Sequence, residues 1–546
     1  MKRERRGWKL VVLAAAMAFM PVAVTWGQDA AAPTAADYQN LQEKFQQVQR
    51  QLSEVSKDVA AIKDTQAALK KQEAEIKEQQ RELKQKQAKL KAAQAEAAVT
   101  SQQATDQAVQ HLYNQVVANS QKVAGTTQGA GGGNNINATI ENLFAPPAGE
   151  HYFSPFSKEN PDHMRPDQHM QIAQWGNMKL YLGFWTVGRF QGLQQYNLGK
   201  PTGMNPNFQT PYGMMDLYAT VPHEFDMFAD FYIASPEHPS QTYGDEGWLV
   251  FKQIPGFGRN SPINQIMDYI NVKAGAFDID FGDNNYHRSK DAWVQNNPLI
   301  GNPLVDPSTE EIGGEVYSVK GPVYWLFGVS NGSTTGHFDY GAGPSFHGKI
   351  WGYPTKDLRL SGSVYYGDMG ESSDTIDLFT AARSGEAYAN LFGNSVDTQG
   401  QIVPQAGHNV FAAQGDITYE KWPFESYSYV GWTQDNHANL TGIGTPRESW
   451  LYGSSNIVYH INPSLYLAAQ YSYAFAGAVN GVDTNGWVDR IQVGAGYWLT
   501  RSLLAKVEYV QEQFRSFGSN VGLVNSAQAN LGPGFNGVVM EVSFGF

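Results

Sequence analysis

Through the C-terminal part of this chain, short segments with an apolar residue at every second position recur, and no apolar run near 20 residues interrupts them. Leu180, Leu182, Phe184, Thr186 and Phe190 alternate with Lys179, Tyr181, Trp185 and Arg189. Phe225, Met227, Ala229, Phe231 and Ile233 alternate with Asp226, Phe228, Asp230 and Tyr232, and the same period runs from Leu465 to Phe475 and from Ile491 to Leu499. A period of two puts one set of side chains on each face of a strand. Apolar residues on one face and mixed polar residues on the other are the pattern of a barrel with lipid outside and a polar lumen inside. The missing long apolar run excludes a helical membrane bundle beyond the N-terminus. Composition agrees: charged residues are 17%, aromatics 13%, glycines 55, and the mean hydropathy is -0.42.

Turn chemistry orders the segments. Short turns recur at Val221-Pro222-His223, Lys320-Gly321-Pro322, Tyr353-Pro354-Thr355, Lys421-Trp422-Pro423, Ile461-Asn462-Pro463 and Leu499-Thr500-Arg501, with longer polar stretches between them. These six turns pair twelve strands. Gly176 to Gln191 and Asn536 to Phe546 add the first and last, and Gly247 to Ile254 with Gln265 to Phe281 add one more pair. The expected fold is therefore an all-β transmembrane antiparallel barrel of about 16 strands, an even number that brings both ends to one rim. The closing segment, Val538, Met540, Val542, Phe544 and Phe546, ends on an aromatic residue and resembles the signal by which the barrel-assembly machinery takes up outer-membrane barrels.

Asn271 to Gly282 (NVKAGAFDIDFG) and Glu311 to Gly332 (EIGGEVYSVKGPVYWLFGVSNG) resemble two blocks of porins of the phosphate-selective O/P type. That resemblance covers Met170 to Phe546 and implies a trimeric, sixteen-stranded barrel, in some relatives preceded by a coiled coil.

The N-terminal part has another character. Lys2, Arg3, Arg5, Arg6 and Lys9 precede an apolar stretch from Leu10 to Val24 and the small-x-small triplet Thr25-Trp26-Gly27, the pattern of a signal peptide over 1–27. No Cys follows, which rules out a lipid-modified N-terminus. From Tyr38 onward, Leu41, Val48, Val55, Ile62, Leu69, Ile76, Leu83 and Leu90 keep a seven-residue register, and Tyr38, Phe45, Leu52 and Val59 begin a second seam that turns to glutamine. A heptad this regular predicts a long α-helical coiled coil over 28–124, with three strands favoured over two or over a single solvated helix. The helix would reach on the order of 120 Å into the periplasm. Gly125 to Asn135 reads as a flexible joint that opens an irregular linker over 125–174, ahead of a barrel over 175–546.

Two sets of residues are candidates for the channel. The strand count places the segment from Gly282 to Glu310 between the fifth and sixth strands, the loop that in sixteen-stranded porins enters the lumen. Its candidates for the constriction are Asp283, His287, Arg288, Lys290, Asp291 and Asp306, whose mixed charges would set a transverse field favouring hydrated polar solutes. An ordinary surface loop is the alternative. The loop from Asp368 to Gly407 is expected to lie outside the lumen. Inward phase on the strands selects Lys179, Arg189, Asp216, Asp226, Asp230, Arg359, Asp416 and Glu420 as the lumen wall. From Met170 onward there are 19 basic and 34 acidic residues, so phosphate selectivity is not carried over from the resemblance and a weak cation preference is expected.

Nothing points to an enzyme: there is no Gly-x-Ser-x-Gly elbow and no His-Glu-x-x-His. Zero cysteines exclude disulfide frameworks, zinc-thiolate sites, iron–sulfur clusters and covalent haem attachment through a Cys-x-x-Cys-His motif. His163 and His169 with Asp162 and Asp167 read as a solvated polar stretch rather than a metal site, and no cofactor is expected. The expected partners are outer-membrane lipid, two further copies in a homotrimer, the assembly machinery and, through the coil, the cell wall; nucleic acid is not among them. The expected function is an outer-membrane porin with a water-filled channel for passive diffusion of small hydrophilic solutes or ions. The alternatives are an envelope-spanning tether with a barrel anchor, and a barrel that sheathes a separate partner in its lumen.

Overall fold

The computed structural model describes residues 169–546, apart from 198–205, 210, 235–241, 291, 308, 333–342, 369–375, 377, 380–386, 390, 392–401, 403, 405–408, 437–446, 480–481 and 517–531. It also describes 144–147, 153 and six positions nearer the N-terminus. The chain divides into two units, Met1–Gln128 and Gly129–Phe546. In the first, the six described residues, Gln42, Glu43, Gln46, Gln47, Lys77 and Lys86, are helical and exposed, and none belongs to the heptad seam. The seam residues, the signal peptide and the glycine-rich joint lie outside the described residues.

The second unit is a closed antiparallel barrel of sixteen strands. In chain order they are β1 (Met178–Tyr196), β2 (Tyr212–Val221), β3 (Phe225–Ala234), β4 (Tyr243–Phe251), β5 (Ile270–Asp278), β6 (Glu310–Ser318), β7 (Val323–Ser330) and β8 (Ser345–Thr355). The remainder are β9 (Leu358–Asp368), β10 (Asn409–Lys421), β11 (Phe424–Asn436), β12 (Arg447–His460), β13 (Leu465–Val479), β14 (Trp487–Trp498), β15 (Leu503–Arg515) and β16 (Gly534–Gly545). Each strand pairs with its sequence neighbours, and β16 closes on β1 with Glu541 opposite Arg189 and Met540 opposite Phe190. The last residue completes the seam: Phe184 N–H donates to the Phe546 carbonyl at 2.9 Å, and Phe546 N–H returns the bond at 3.1 Å. Closure pairs both edges of each of the sixteen strands, which a lipid solvent requires.

The alternation of residue types becomes an inversion of the usual protein. On β12, Leu451, Ile457 and Tyr459 point outward and are exposed, while Glu448, Trp450, Tyr452, Asn456 and His460 are buried inside. The same holds for Met540 and Val542 against Glu541 on β16, and for Ile491 and Val493 against Arg490 and Gln492 on β14. Outward aromatics gather near both rims: Phe424 packs on Tyr459 at 5.0 Å by the tight turns, and Phe411 on Trp432 at 5.8 Å near the long loops. Phe424 and Trp432 are separated along β11 by about 26 Å at the usual strand rise, matching the height of a lipid-facing apolar band.

The structure corrects several expected boundaries. The segment expected to open a strand at Gln265 is instead a helix, α1 (Pro262–Met267), because Ser261 caps it by accepting from Asn264 N–H and Pro262 occupies its first turn. β4 and β5 are correspondingly Tyr243–Phe251 and Ile270–Asp278. The linker expected to be irregular up to Gln174 ends in a short strand, Met170–Trp175, folded back on β1 with Trp175 opposite Met178. Gly176 makes that hairpin possible by holding φ at +58°. β1 itself runs on to Tyr196 rather than stopping at Gln191, and β16 spans Gly534–Gly545.

Candidate functional site: a charged loop held inside the barrel

The segment 279–309 leaves β5 at the long-loop rim and turns into the lumen, where the strands' inward residues receive it on three sides. Polar and apolar positions alike are buried, from Ile279 and Phe281 through Arg288 and Val294 to Ile300 and Thr309. Buried backbone outside a sheet needs partners for its own amides and carbonyls. The wall supplies them.

Against β13–β15 the loop is held mainly through its backbone. Lys506 Nζ donates to the carbonyls of Val294, Asn297 and Leu299 at 2.8–3.1 Å. Glu508 accepts from the N–H groups of Ile300 and Gly301 at 2.7 and 3.1 Å. Tyr466 OH donates to the Pro298 carbonyl and Arg490 to that of Asn302, both at 2.9 Å.

Against β8–β11 the loop presents a carboxylate to two cations. Asp283 lies 2.8 Å from Arg359 and 2.9 Å from Lys349, and accepts from Ser361 Oγ at 2.9 Å. Burial works against its ionisation, but the Arg359 guanidinium and Lys349 ammonium hold its carboxyl well below the usual range. Its N–H donates to Asp416, and the adjacent Asn284 accepts from Gln414 and Tyr427. His287 stacks on Tyr427 with ring centroids 3.9 Å apart.

Against β3–β6 the arrangement is reversed. Lys290 lies among five carboxylates: Glu246 in direct contact, Asp245 at 3.3 Å, Glu310 at 3.4 Å, Asp278 at 3.5 Å and Asp230 at 4.0 Å. Burial alone would push its ammonium down, yet Asp278 and Glu246 hold it well above its ordinary value. A register shift makes this cluster. Ala229 pairs with Gly247 but Phe231 with Gly244, so Asp245 and Glu246 together face the single residue Asp230. Such a bulge brings consecutive side chains to one site, which regular alternation forbids. Trp293 completes this side by donating to Asp216 at 3.0 Å.

Within the loop, Arg288 pairs with Asp306 at 2.8 Å. Asp283, His287, Arg288, Lys290 and Asp306 are all buried in the lumen: Asp283 and His287 meet the β8–β11 wall, Lys290 meets the β3–β6 wall, and Arg288 and Asp306 pair with each other; Asp291 lies outside the described residues. On the wall, Arg189 pairs with Glu541 at 2.6 Å and Asp226 with Lys252 at 2.6 Å. Asp216, Asp230, Arg359 and Asp416 meet the loop as described, and Glu420 is half-buried beside His287 and Phe153. Lys179 keeps the phase of Arg189 and is half-buried near the tight-turn rim.

Two expectations fail. The loop after Asp368 does not stay outside: Ile376, Leu378, Phe379, Tyr388, Leu391 and Ile402 are buried, Ile402 N–H donates to the Leu304 carbonyl at 2.8 Å, and Tyr388 OH donates to Glu508 at 2.6 Å. Its apolar residues pack on the wall and the first loop, and that burial draws the segment inward. Inward bases are also more numerous than Lys179, Arg189 and Arg359: Lys273, Lys349, Arg490 and Lys506 are buried on the inner face. Their signal was present, since Arg490 alternates with Ile491 and Lys506 with Val507.

No protein-family model matches the sequence, and no curated protein sequence does. Among solved structures, the barrel is similar to the outer membrane channel DcaP of Acinetobacter baumannii (TM-score 0.44, 10% identity, 68% of this chain and 99% of that chain). It is similar also to OmpT of Vibrio cholerae (0.42, 10%, 68% and 99%) and to an anion-selective porin from Comamonas acidovorans (0.42, 10%, 68% and 100%).

Proposed function

We propose that this chain is an outer-membrane channel of porin type, not an enzyme, passing small hydrophilic solutes or ions passively between the two lumenal inserts and the wall. The observation that carries this reading is a charged loop anchored across the lumen of an inside-out barrel. An aqueous path bordered by fixed charges of both signs selects by size and charge without any chemical step. The close packing around 279–309 points to small conductance. A cation preference is supported by the excess of acidic over basic residues from Met170 onward. The heptads after Tyr38 support a homotrimer, and the terminal Phe546 supports uptake by the assembly machinery.

Planar bilayers holding the purified protein test this directly. Discrete small steps are expected, with a cation-sign reversal potential under a salt gradient; an anion sign removes the cation preference and restores the selectivity of the resembled porins. A second reading, a tether that conducts little, is favoured by the same close packing. Complete absence of steps decides for it.

A further inference from the structure

Seven connections join the strands at the tight-turn rim, and six of them hold two to four residues. The seventh, between β4 and β5, runs from Lys252 to Tyr269 and contains α1. It is tied down on both sides. Lys252 and Gln253 N–H donate to the Glu224 carbonyl in the β2–β3 turn, and Val319 N–H, in the β6–β7 turn, donates to the Tyr269 carbonyl.

The long turn is also braced from within. Asn264 is 1% exposed; its side chain accepts from Ile254 N–H at 2.8 Å and donates to the carbonyls of Phe257 and Gly258 at 3.0 and 3.2 Å. Ser261 caps α1, and Tyr269 N–H donates to the Ile266 carbonyl at 2.9 Å. These bonds fix the course of the backbone without gathering its large apolar side chains into a core. Four of them stay outside: Phe257, Ile263, Ile266 and Tyr269 are 39–63% exposed. Ile263 and Ile266, three residues apart, are neighbours on the open side of α1, while Asn264 and Met267 fill the other.

Two features say what covers this patch. The turn is rooted in lipid-facing surface, since Phe251 and Val272 pair across β4 and β5 in the outward phase of Leu249 and Ala274. That surface is poor in large side chains, because the next outward pair is Gly247 with Ala276. Cations flank the patch. Lys320 Nζ lies 5.3 Å over the Tyr269 ring and Arg259 is exposed, against a single exposed acid in the turn, Asp268. Aliphatic side chains, an aromatic ring and cations at the end of a lipid-facing strand match the boundary between acyl chains and headgroup phosphates.

We propose that the β4–β5 turn is a foot seated in the phospholipid leaflet, with Phe257, Ile263, Ile266 and Tyr269 among the acyl chains and Arg259 and Lys320 at the phosphates. The foot sets the depth of β4 and β5, the strands whose own outward face offers lipid the least to hold.

The chain has no cysteine, so one introduced cysteine can carry a polarity-sensitive fluorophore on the full-length protein. Ile263→Cys and Ile266→Cys are compared with Lys356→Cys, in the two-residue turn between β8 and β9, where the lysine side chain is 87% exposed. Each is placed in vesicles of phosphatidylethanolamine and phosphatidylglycerol, with the barrel verified by heat-dependent gel migration; either isoleucine position suffices if the other does not fold. The quenchers are iodide on both sides of the membrane and bromine on the acyl chains. The isoleucine labels are expected to emit at shorter wavelength than the Lys356 label, with severalfold weaker quenching by iodide and severalfold stronger quenching by brominated lipid. Iodide quenching equal to that at Lys356 overturns the foot, because the turn then stands in water. Labels that neither quencher reaches overturn it too, and assign the patch to a protein surface such as a second copy of this chain. None of these outcomes depends on whether the barrel conducts.

Discussion

The two charged attachments of the lumen loop are opposites. At one, a single ammonium, Lys290, lies among five carboxylates; at the other, two loop carboxylates, Asp280 and Asp283, meet two wall cations, Lys349 and Arg359. At the first the loop supplies one charge against five from the wall; at the second the charges match, two against two. Removing Lys290 takes the nearest cation from a buried like-charge cluster, whereas removing Asp283 leaves Asp280 on Lys349. The acidic wall therefore depends on the loop more than the basic wall does.

That asymmetry is broken most severely at Lys290. Lys290→Met keeps much of the side-chain volume but leaves Asp230, Asp245, Glu246, Asp278 and Glu310 without their shared ammonium. Loss of the lone partner from a buried ion cluster costs about 3–5 kcal/mol. The variant is expected to unfold at lower temperature, read from heat-dependent gel migration, and to show larger, more cation-selective steps. Unchanged melting and unchanged steps would mean that the five carboxylates do not depend on this ammonium.

Asp283→Asn is the mirror image with a smaller effect. Lys349 retains Asp280 at 3.0 Å, so the basic side keeps one carboxylate. The expected loss is about 2 kcal/mol, with the reversal potential moving toward anions. The pH dependence has a definite sign. A carboxyl whose folded pKa is depressed stabilises above its unfolded value near 3.9 and loses that contribution only as pH falls through the lower folded value. The parent should therefore keep the Asp283 contribution to selectivity from pH 7 to about pH 4. If the difference between parent and Asp283→Asn vanishes on acidification to pH 5, the carboxyl is not held by Arg359 and Lys349.

The two attachments also differ in how much of them the sequence disclosed. The phase of Arg359 and Asp416 could be read from alternation, as could the position of Asp283 between the fifth and sixth strands. Lys349 shares that phase but sits between His347 and Trp351 in a segment whose glycines blur the period. The acidic side was hidden for a stricter reason: a period of two cannot turn Asp245 and Glu246 to the same face, and the bulge that does so appears only in the pairing of β3 with β4. Which loop charge meets which wall depends on the circumference of the closed barrel, information that no local pattern contains. The inward course of the β9–β10 segment had a local signal, Ile376, Leu378, Phe379 and Ile402, but those residues are scattered through a long polar stretch rather than periodic.

The smallest expected effect separates the second insert from the first. Tyr388 OH donates to Glu508 at 2.6 Å and accepts from Gln492 at 2.9 Å, linking the β9–β10 segment to the strands that hold the loop backbone. In Tyr388→Phe the ring remains packed at 5.4 Å from Phe535, and Glu508 keeps its bonds from Ile300 and Gly301. Only the hydroxyl's two bonds are lost, worth about 1–2 kcal/mol together. Because neither charged attachment is touched, ion selectivity should stay at the parent value while hydrogen exchange quickens in Ala387–Leu391. A selectivity change as large as that of Asp283→Asn would show the two inserts to be one cooperative plug, with the charged attachments no longer its separate controls.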